Sequence, residues 1–441
     1  MVKLAQVLIQ IGEWDAAESH FREAYQLADM IDAPDVRADS MQGLGAIQHN
    51  MSQWDTARDW YNQALAIFRE LDVPYKEATS LGAIGATYRM QADHKHAITY
   101  LNEQYQIGMR LDDNAVMSNA QSRLASVYQS AGDHETALAY FQESLEKLAI
   151  VGDTYTESLT AGNMAISYAS MGHFFEAERL FKRQLTLNHD YGYRLGVSRS
   201  ANNLSALHRT LGHFEVALKY SLFSLHMSLK IGVPRGIAFA LSNMALIYAG
   251  LDDMEQAFQI GELTLRIGRP LDIPRAMCGW LHQHSQRLYQ LDQAETALAL
   301  NSEALSIAHD IQNREIYIPS LIFDIRLRVE MDLISLDEAL TQLNEQQTPE
   351  LDESLRAALH WGIWSLDASQ ESDRENAIAL YRDLHAQSPY LEYRDRYHEL
   401  MEDRLQPLPP PETIPDFVDT QQPDLKSLLV QVEAAIEALD S

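Results

Sequence analysis

Alanine stands at positions 17, 57, 97, 137, 177, 217, 257 and 297, forty residues apart each time and with no insertion. The positions around it keep the same phase. Four residues later come Phe21, Tyr61, Leu101, Phe141 and Phe181, fading to Ser221, Gly261 and Asn301. Eight later come Tyr25, Leu65, Tyr105, Leu145, Leu185, Leu225, Leu265 and Leu305, and three before come Trp14, Trp54, His94, His134, Phe174, Phe214, Met254 and Ala294. Offsets of three, four and eight share one helical face. The alanine is small because a second helix must approach there. Gly12, Gly132, Gly172 and Gly212, five residues before their alanines, suit a helix end that turns back sharply. Each period therefore reads as helix A, a tight turn and helix B, and the chain as all-α. Apolar quality fades after Ala257, so later units are expected to pack less regularly.

The pattern resembles the tetratricopeptide repeat family. The match is carried by Asn203-Leu204-Ser205-Ala206-Leu207, Leu211-Gly212-His213-Phe214-Glu215-Val216-Ala217, Ser221 and Leu225, and by Asn163-Met164-Ala165-Ile166-Ser167-Tyr168, Gly172-His173-Phe174, Ala177 and Phe181 one unit earlier. The family's usual unit is shorter. Forty residues resembles the long-unit branch that includes kinesin light chain, Pins-type spindle scaffolds and bacterial peptide-sensing receptors. The resemblance implies a right-handed superhelical solenoid of antiparallel helix hairpins, about ten units over residues 1–390, with helix A lining a concave groove and helix B forming the back.

Residues 1–310 hold the regular repeats. Residues 311–406 hold two irregular units, centred on Ala339 and Ala377, and a polar capping helix at about 390–406. Residues 407–424 (PLPPPETIPDFVDTQQPD) read as a proline-rich linker. Asp424 can cap a last helix over 425–441, whose Leu425, Leu428, Leu429, Val432, Ile436 and Leu439 form one stripe. Alone it is marginal in water, so it is expected to dock, and the linker is long enough to carry it to the groove. At the other end Met1 falls inside helix A of the first unit, and Val2, Leu4, Leu8 and Ile11 lack a polar cap. Either residues precede it or this end packs against something.

Composition narrows the partners. There are 34 basic and 63 acidic residues, a net charge of −29. That field repels nucleic acid and anionic membranes, and no run of about 20 apolar residues could span a bilayer. The one cysteine, Cys278, forms no disulfide within the chain and fits a reducing, cytoplasmic setting; it reads as a small core residue.

The acids are not spread evenly. The helix A positions 18, 15, 14, 11, 8 and 7 before the alanine, over seven complete units, hold four arginines (Arg89, Arg123, Arg199 and Arg209) and one acid, Asp39. Asn163, Asn203 and Asn243 recur in phase, 14 residues before the alanine. The resemblance implies that this asparagine bonds the backbone of an extended peptide, and an amide's donor and acceptor do match a peptide unit. The competing reading is that each asparagine bonds a neighbouring helix, and each arginine an acid on one. The expected binding residues are thus Arg89, Arg123, Asn163, Arg199, Asn202, Asn203, Arg209 and Asn243, centred on Arg199, Asn202, Asn203 and Arg209. Arginine's forked donors suit a carboxylate, so a peptide with acidic character or a free carboxylate is the expected ligand. Groove lysines, the mark of the carboxylate-clamp subclass, are missing, which argues against a chaperone tail.

No catalytic or metal constellation is visible. The pairs His94/His96 and His282/His284 are two residues apart and face apart on a helix. There is no phosphate-binding glycine loop, HExxH or nucleophile elbow. Trp280, Trp361 and Trp364 read as core or end packing. The expectation is a non-enzymatic module, without cofactor or metal, that binds a peptide or partner protein. The alternative is a sensor subunit or fragment of a larger signalling complex, beside a signalling ATPase or a caspase-like protease.

Overall fold

In the computed structural model the described residues are all but 12, 13, 52, 272, 350, 389, 402–413, 420–423 and 441. They contain no strand. They divide into two compact units, one of residues 1–170 with 175–188, the other of 171–174 with 189–441.

The first unit holds α1 (Val2–Ile11), α2 (Trp14–Met30), α3 (Pro34–Asn50), α4 (Trp54–Glu70), α5 (Pro74–Met90), α6 (His94–Leu111), α7 (Asn114–Ser130), α8 (His134–Val151), α9 (Thr154–Ser170) and most of α10 (Phe174–Asp190). The second holds α11 (Arg194–Thr210), α12 (Phe214–Ile231), α13 (Pro234–Gly250), α14 (Met254–Gly268), α15 (Pro274–Gln290), α16 (Ala294–Asp310), α17 (Arg314–Glu330), α18 (Leu336–Asn344), α19 (Glu353–Leu366), α20 (Glu371–Gln387), α21 (Leu391–Leu400), α22 (Asp416–Asp419) and α23 (Leu425–Asp440).

The forty-residue period is a sum of lengths. Helices α15 and α16 have 17 residues each, and residues 291–293 and 311–313 make the two connections. Proline opens α3, α5, α13 and α15, at the helix position where a missing N–H costs nothing. Asp93, Asp133 and Asp253 cap α6, α8 and α14 by accepting a backbone N–H. All ten phased alanines, including Ala339 and Ala377 of the irregular hairpins, are 0% exposed, as a helix crossing demands.

Both connections use a left-handed residue. Before helix B it is Gly132, Gly172 and Gly212 in three hairpins, Asp252, Asp292 and Asp332 in later ones, and Ala92 in the third. Aspartate tolerates this region and glycine has no side chain to strain, but Ala92 has neither advantage at φ 59°. Ala92→Gly is expected to stabilise the first unit by about 1 kcal/mol. Denaturant unfolding checks it, and an unchanged or lowered midpoint would contradict it.

The C-terminal third departs from the pattern as its sequence suggests. Helix α18 has nine residues; α21, at the place of the expected capping helix, spans Leu391–Leu400, and residues 402–406 of that expectation lie outside the described residues. Most of the proline-rich stretch, 407–413 and 420–423, lies outside the described residues. Within it α22 forms one turn, with Val418 buried and Phe417 stacked on His189 at 4.0 Å.

Helix α23 docks, and its seat is not helix A. It lies on α12 and α14, the B helices of two successive hairpins. Leu428, Val432 and Ile436 are 0%, 0% and 2% exposed in a cluster with Leu225, Ile260, Leu263 and Ile267. Glu433 meets Arg266 at 2.9 Å and Asp419 meets Lys219 at 2.6 Å. Leu439, at the end of the expected stripe, stays exposed. At the other terminus Met1, Leu4 and Val7 of α1 are exposed.

Candidate functional site

In the first unit α5, α7 and α9 are the A helices of three successive hairpins. They bound a cavity of about 350 Å³. Positions one repeat apart fall side by side on such neighbours, and the cavity gathers Arg89 of α5, Arg123 of α7 and Asn163 of α9. Asn119, Ser122 and Ser126 line it as well, and none of its described lining residues is acidic.

Arg123 is fixed by neutral acceptors. Its Nε donates to Asn119 Oδ1 at 2.8 Å, and a terminal nitrogen donates to the Gly82 carbonyl at 3.1 Å. The Arg89 side chain makes no hydrogen bond or salt bridge to a described residue. Burial holds both guanidiniums below the ordinary arginine range, and Arg89 adds its like charge to the effect on Arg123. His49 of α3 feels the same field. Burial first, then Arg123 and Arg89, push its pKa down to about 4, and its buried Nδ1 has no hydrogen-bond partner. The Asn163 carbonyl accepts from Gln129 at 2.8 Å, while its side-chain amide bonds no described residue.

Many of the chain's arginines are paired with an acid, although the buried Arg287 of α15 has no described acid beside it. Arg58, Arg69, Arg183, Arg269 and Arg328, among others, each hold an Asp or Glu. Arg89 and Arg123 do not.

The other five expected residues lie in the second unit. Asn243 donates to Asn202 Oδ1 at 2.9 Å, so these two amides satisfy each other across α11 and α13. Arg199 is exposed and close enough to Arg235 to weaken that residue's hold on its proton, behind the larger effect of burial. Arg209 is held below the arginine range by burial and faces the chain's own Glu392; its Nε is buried without a hydrogen-bond partner. Asn203 is half-buried beside them. Inside this unit the expected centre is thus partly taken up by the protein's own groups.

Charge and asparagine phase alone pass over His49, Asn119, Ser122 and Ser126. They occupy the same helix A register, 8, 18, 15 and 11 residues before their alanines, and that register is the signal that finds them.

The residues that drew attention for other chemistry are structural. His282 bonds Asn301 at 2.9 Å, and His284 stacks on Phe258. Cys278, Trp280 and Trp361 are buried. Among the described residues no group of three or more His, Cys, Asp or Glu could hold a metal ion, and no helix is long and apolar enough to cross a membrane.

Helix hairpins of fixed length, phased alanines at every crossing and a polar face on helix A define an α-helical repeat protein. A tetratricopeptide repeat model matches residues 1–70, 37–108 and 76–149 in overlapping registers, so the match covers the first 149 residues of the chain. No curated protein matches it. Among solved structures it is similar to the apo form of RapI (15% identity, TM-score 0.54, 79% of this chain and 98% of that one). It is similar to the apo quorum sensor NprR from B. thuringiensis (13%, TM-score 0.53, 77% and 98%). It is also similar to a Rap protein complexed with Competence and Sporulation Factor (15%, TM-score 0.51, 70% and 97%). At these identities the likeness is one of fold.

Proposed function

We propose that the chain is a non-catalytic, cytoplasmic binding module that takes a peptide, or an extended segment of a partner protein, on the A helices α5, α7 and α9. One observation carries this reading. Arg89, Arg123 and the Asn163 amide converge on a cavity without an acid, in a chain where acids outnumber bases by 63 to 34. An unpartnered amide offers the donor and acceptor that a peptide unit needs. The uncompensated cations favour a ligand of acidic character. The similar fold of a Rap protein complexed with Competence and Sporulation Factor, and of a quorum sensor, supports a regulatory use of this fold.

The test is selection from a randomised peptide library on the immobilised chain, followed by two asparagine variants. Asn163→Ala is expected to weaken the selected peptides by up to about tenfold with little change in stability. Asn243→Ala is expected to do the reverse, costing about 1 kcal/mol of stability through the lost Asn202 bond and leaving affinity unchanged. If the chain selects no peptide, or both variants behave alike, the reading falls.

A further inference from the structure

We infer that Arg89 and Arg123 form a two-pronged oxyanion site that anchors one carboxylate of the bound ligand inside the α5–α7–α9 cavity. This rests on the peptide-binding reading and assigns its anchor.

Two guanidiniums lining one cavity, each held where burial already disfavours its charge and one adding its like charge against the other, are costly in isolation. Elsewhere Arg58, Arg69, Arg183, Arg269 and Arg328, most of them at the surface, are each offset by an acid. Here the acceptors are a carbonyl and an amide oxygen, so the hydrogen bonding of Arg123 is met but its charge is not. Arg89 has neither. The missing component is an anion from outside the chain.

The geometry selects its class. Asn119 accepts from Arg123 Nε at 2.8 Å and from Gln104 at 3.1 Å, which fixes the guanidinium plane. A planar fork held in place suits a planar two-oxygen acceptor. Ser122 and Thr160 hydroxyls lie 3.1 Å apart at the cavity wall, where either can turn to donate. About 350 Å³ admits a residue or two, not a folded surface. The carboxylate is therefore an acidic side chain or the free end of a peptide.

The test uses four pools of random heptapeptides, with either Asp and Glu or Asn and Gln at the fixed position, and with the carboxyl end either free or amidated. Arg89→Gln is the informative variant, because the Arg89 side chain makes no hydrogen bond or salt bridge to a described residue, and removing a buried, uncompensated charge should not lower the melting temperature. The wild type is expected to prefer carboxylate-bearing pools by about tenfold or more, and Arg89→Gln to lose that preference. Preference for the free end alone identifies a chain terminus; preference for Asp and Glu at either end identifies a side chain. Equal binding of all pools, or a preference that survives Arg89→Gln, overturns the oxyanion site while leaving peptide binding intact. If no pool binds, the peptide reading fails and sodium acetate decides the site. Acetate raising the melting temperature above a matched chloride buffer in the wild type, but not in Arg89→Gln, supports it. No difference overturns it.

Discussion

Val432→Asp is expected to release the C-terminal helix from its seat. Val432 is 0% exposed between α12 and α14. Shortening one such aliphatic side chain to alanine costs about 2–5 kcal/mol, and a carboxylate there would also be buried without a counter-charge. Leu428 and Ile436 share the seat, but both flank the inserted charge, and the polar contacts of the helix cannot replace the apolar ones. Its pairs, Glu433 with Arg266 and Asp419 with Lys219, are about half exposed, and pairs of that kind are worth about 0–1 kcal/mol. The 16 residues of α23 are too few to stay helical alone. The variant should lose that helix from the circular dichroism signal, become open to protease at 425–440, and expose apolar surface to a hydrophobic dye. Glu433→Gln, by contrast, should change stability by no more than about 0.5 kcal/mol. A Val432→Asp protein whose tail resists protease as the wild type does would refute the docking.

The seat of α23 was harder to read than the repeat because it is written in departures from the phase. Six residues after the repeat alanine helix B carries Glu23, Gln63, Glu103, Glu143, Arg183 and Glu303. In the two helices under the tail the same position is Phe223 and Leu263. The side chains of Glu103 and Arg183 are 50% and 52% exposed, whereas Phe223 and Leu263 are 1% and 7% exposed. A search for what recurs keeps the alanines and discards these two. The helix pairs themselves were legible because one small residue must recur wherever two helices cross, and because helix and connection lengths add to a constant.

The candidate site was legible in half. Register alone puts Arg89, Arg123 and Asn163 on neighbouring A helices, and they do line one cavity. Register cannot say whether adjacent amides will face a ligand or each other. Asn202 and Asn243, 41 residues apart and so one position off the repeat, choose each other. Nor can it foresee that Arg209 comes to face Glu392, since that acid belongs to α21, beyond the regular phase.

Acid is expected to weaken both units well above the range in which carboxylates titrate. His49 in the first unit and His284 in the second are held neutral down to about pH 4, each mainly by burial, with Arg123 and Arg89 acting on the former and Arg287 on the latter. An unfolded chain takes up those protons near the ordinary histidine value of about 6.5. Between these limits the unfolded state binds more protons. Stability is therefore full above about pH 6.5 and falls as pH drops toward 4, by up to about 1.4 kcal/mol per pH unit for each histidine. The figure is smaller for His49, whose ring is only partly enclosed. Relief of repulsion among the 63 acids acts in the opposite sense. It sets in mainly near the carboxylate range of about pH 4, and salt screens it, so the interval from pH 6.5 to 5 isolates the histidines. Repeat proteins unfold by parts, which makes the useful measurement local. Exchange protection in α3, with the slower intrinsic exchange in acid allowed for, should fall on acidification in the wild type and much less in His49→Gln. Exchange in α15 should respond in the same way to His284→Gln. Exchange protection that holds steady or strengthens from pH 6.5 to 5 would show that neither imidazole is held neutral by its surroundings. For His49 that would also remove one sign of the positive field that the two arginines are argued to offer a carboxylate.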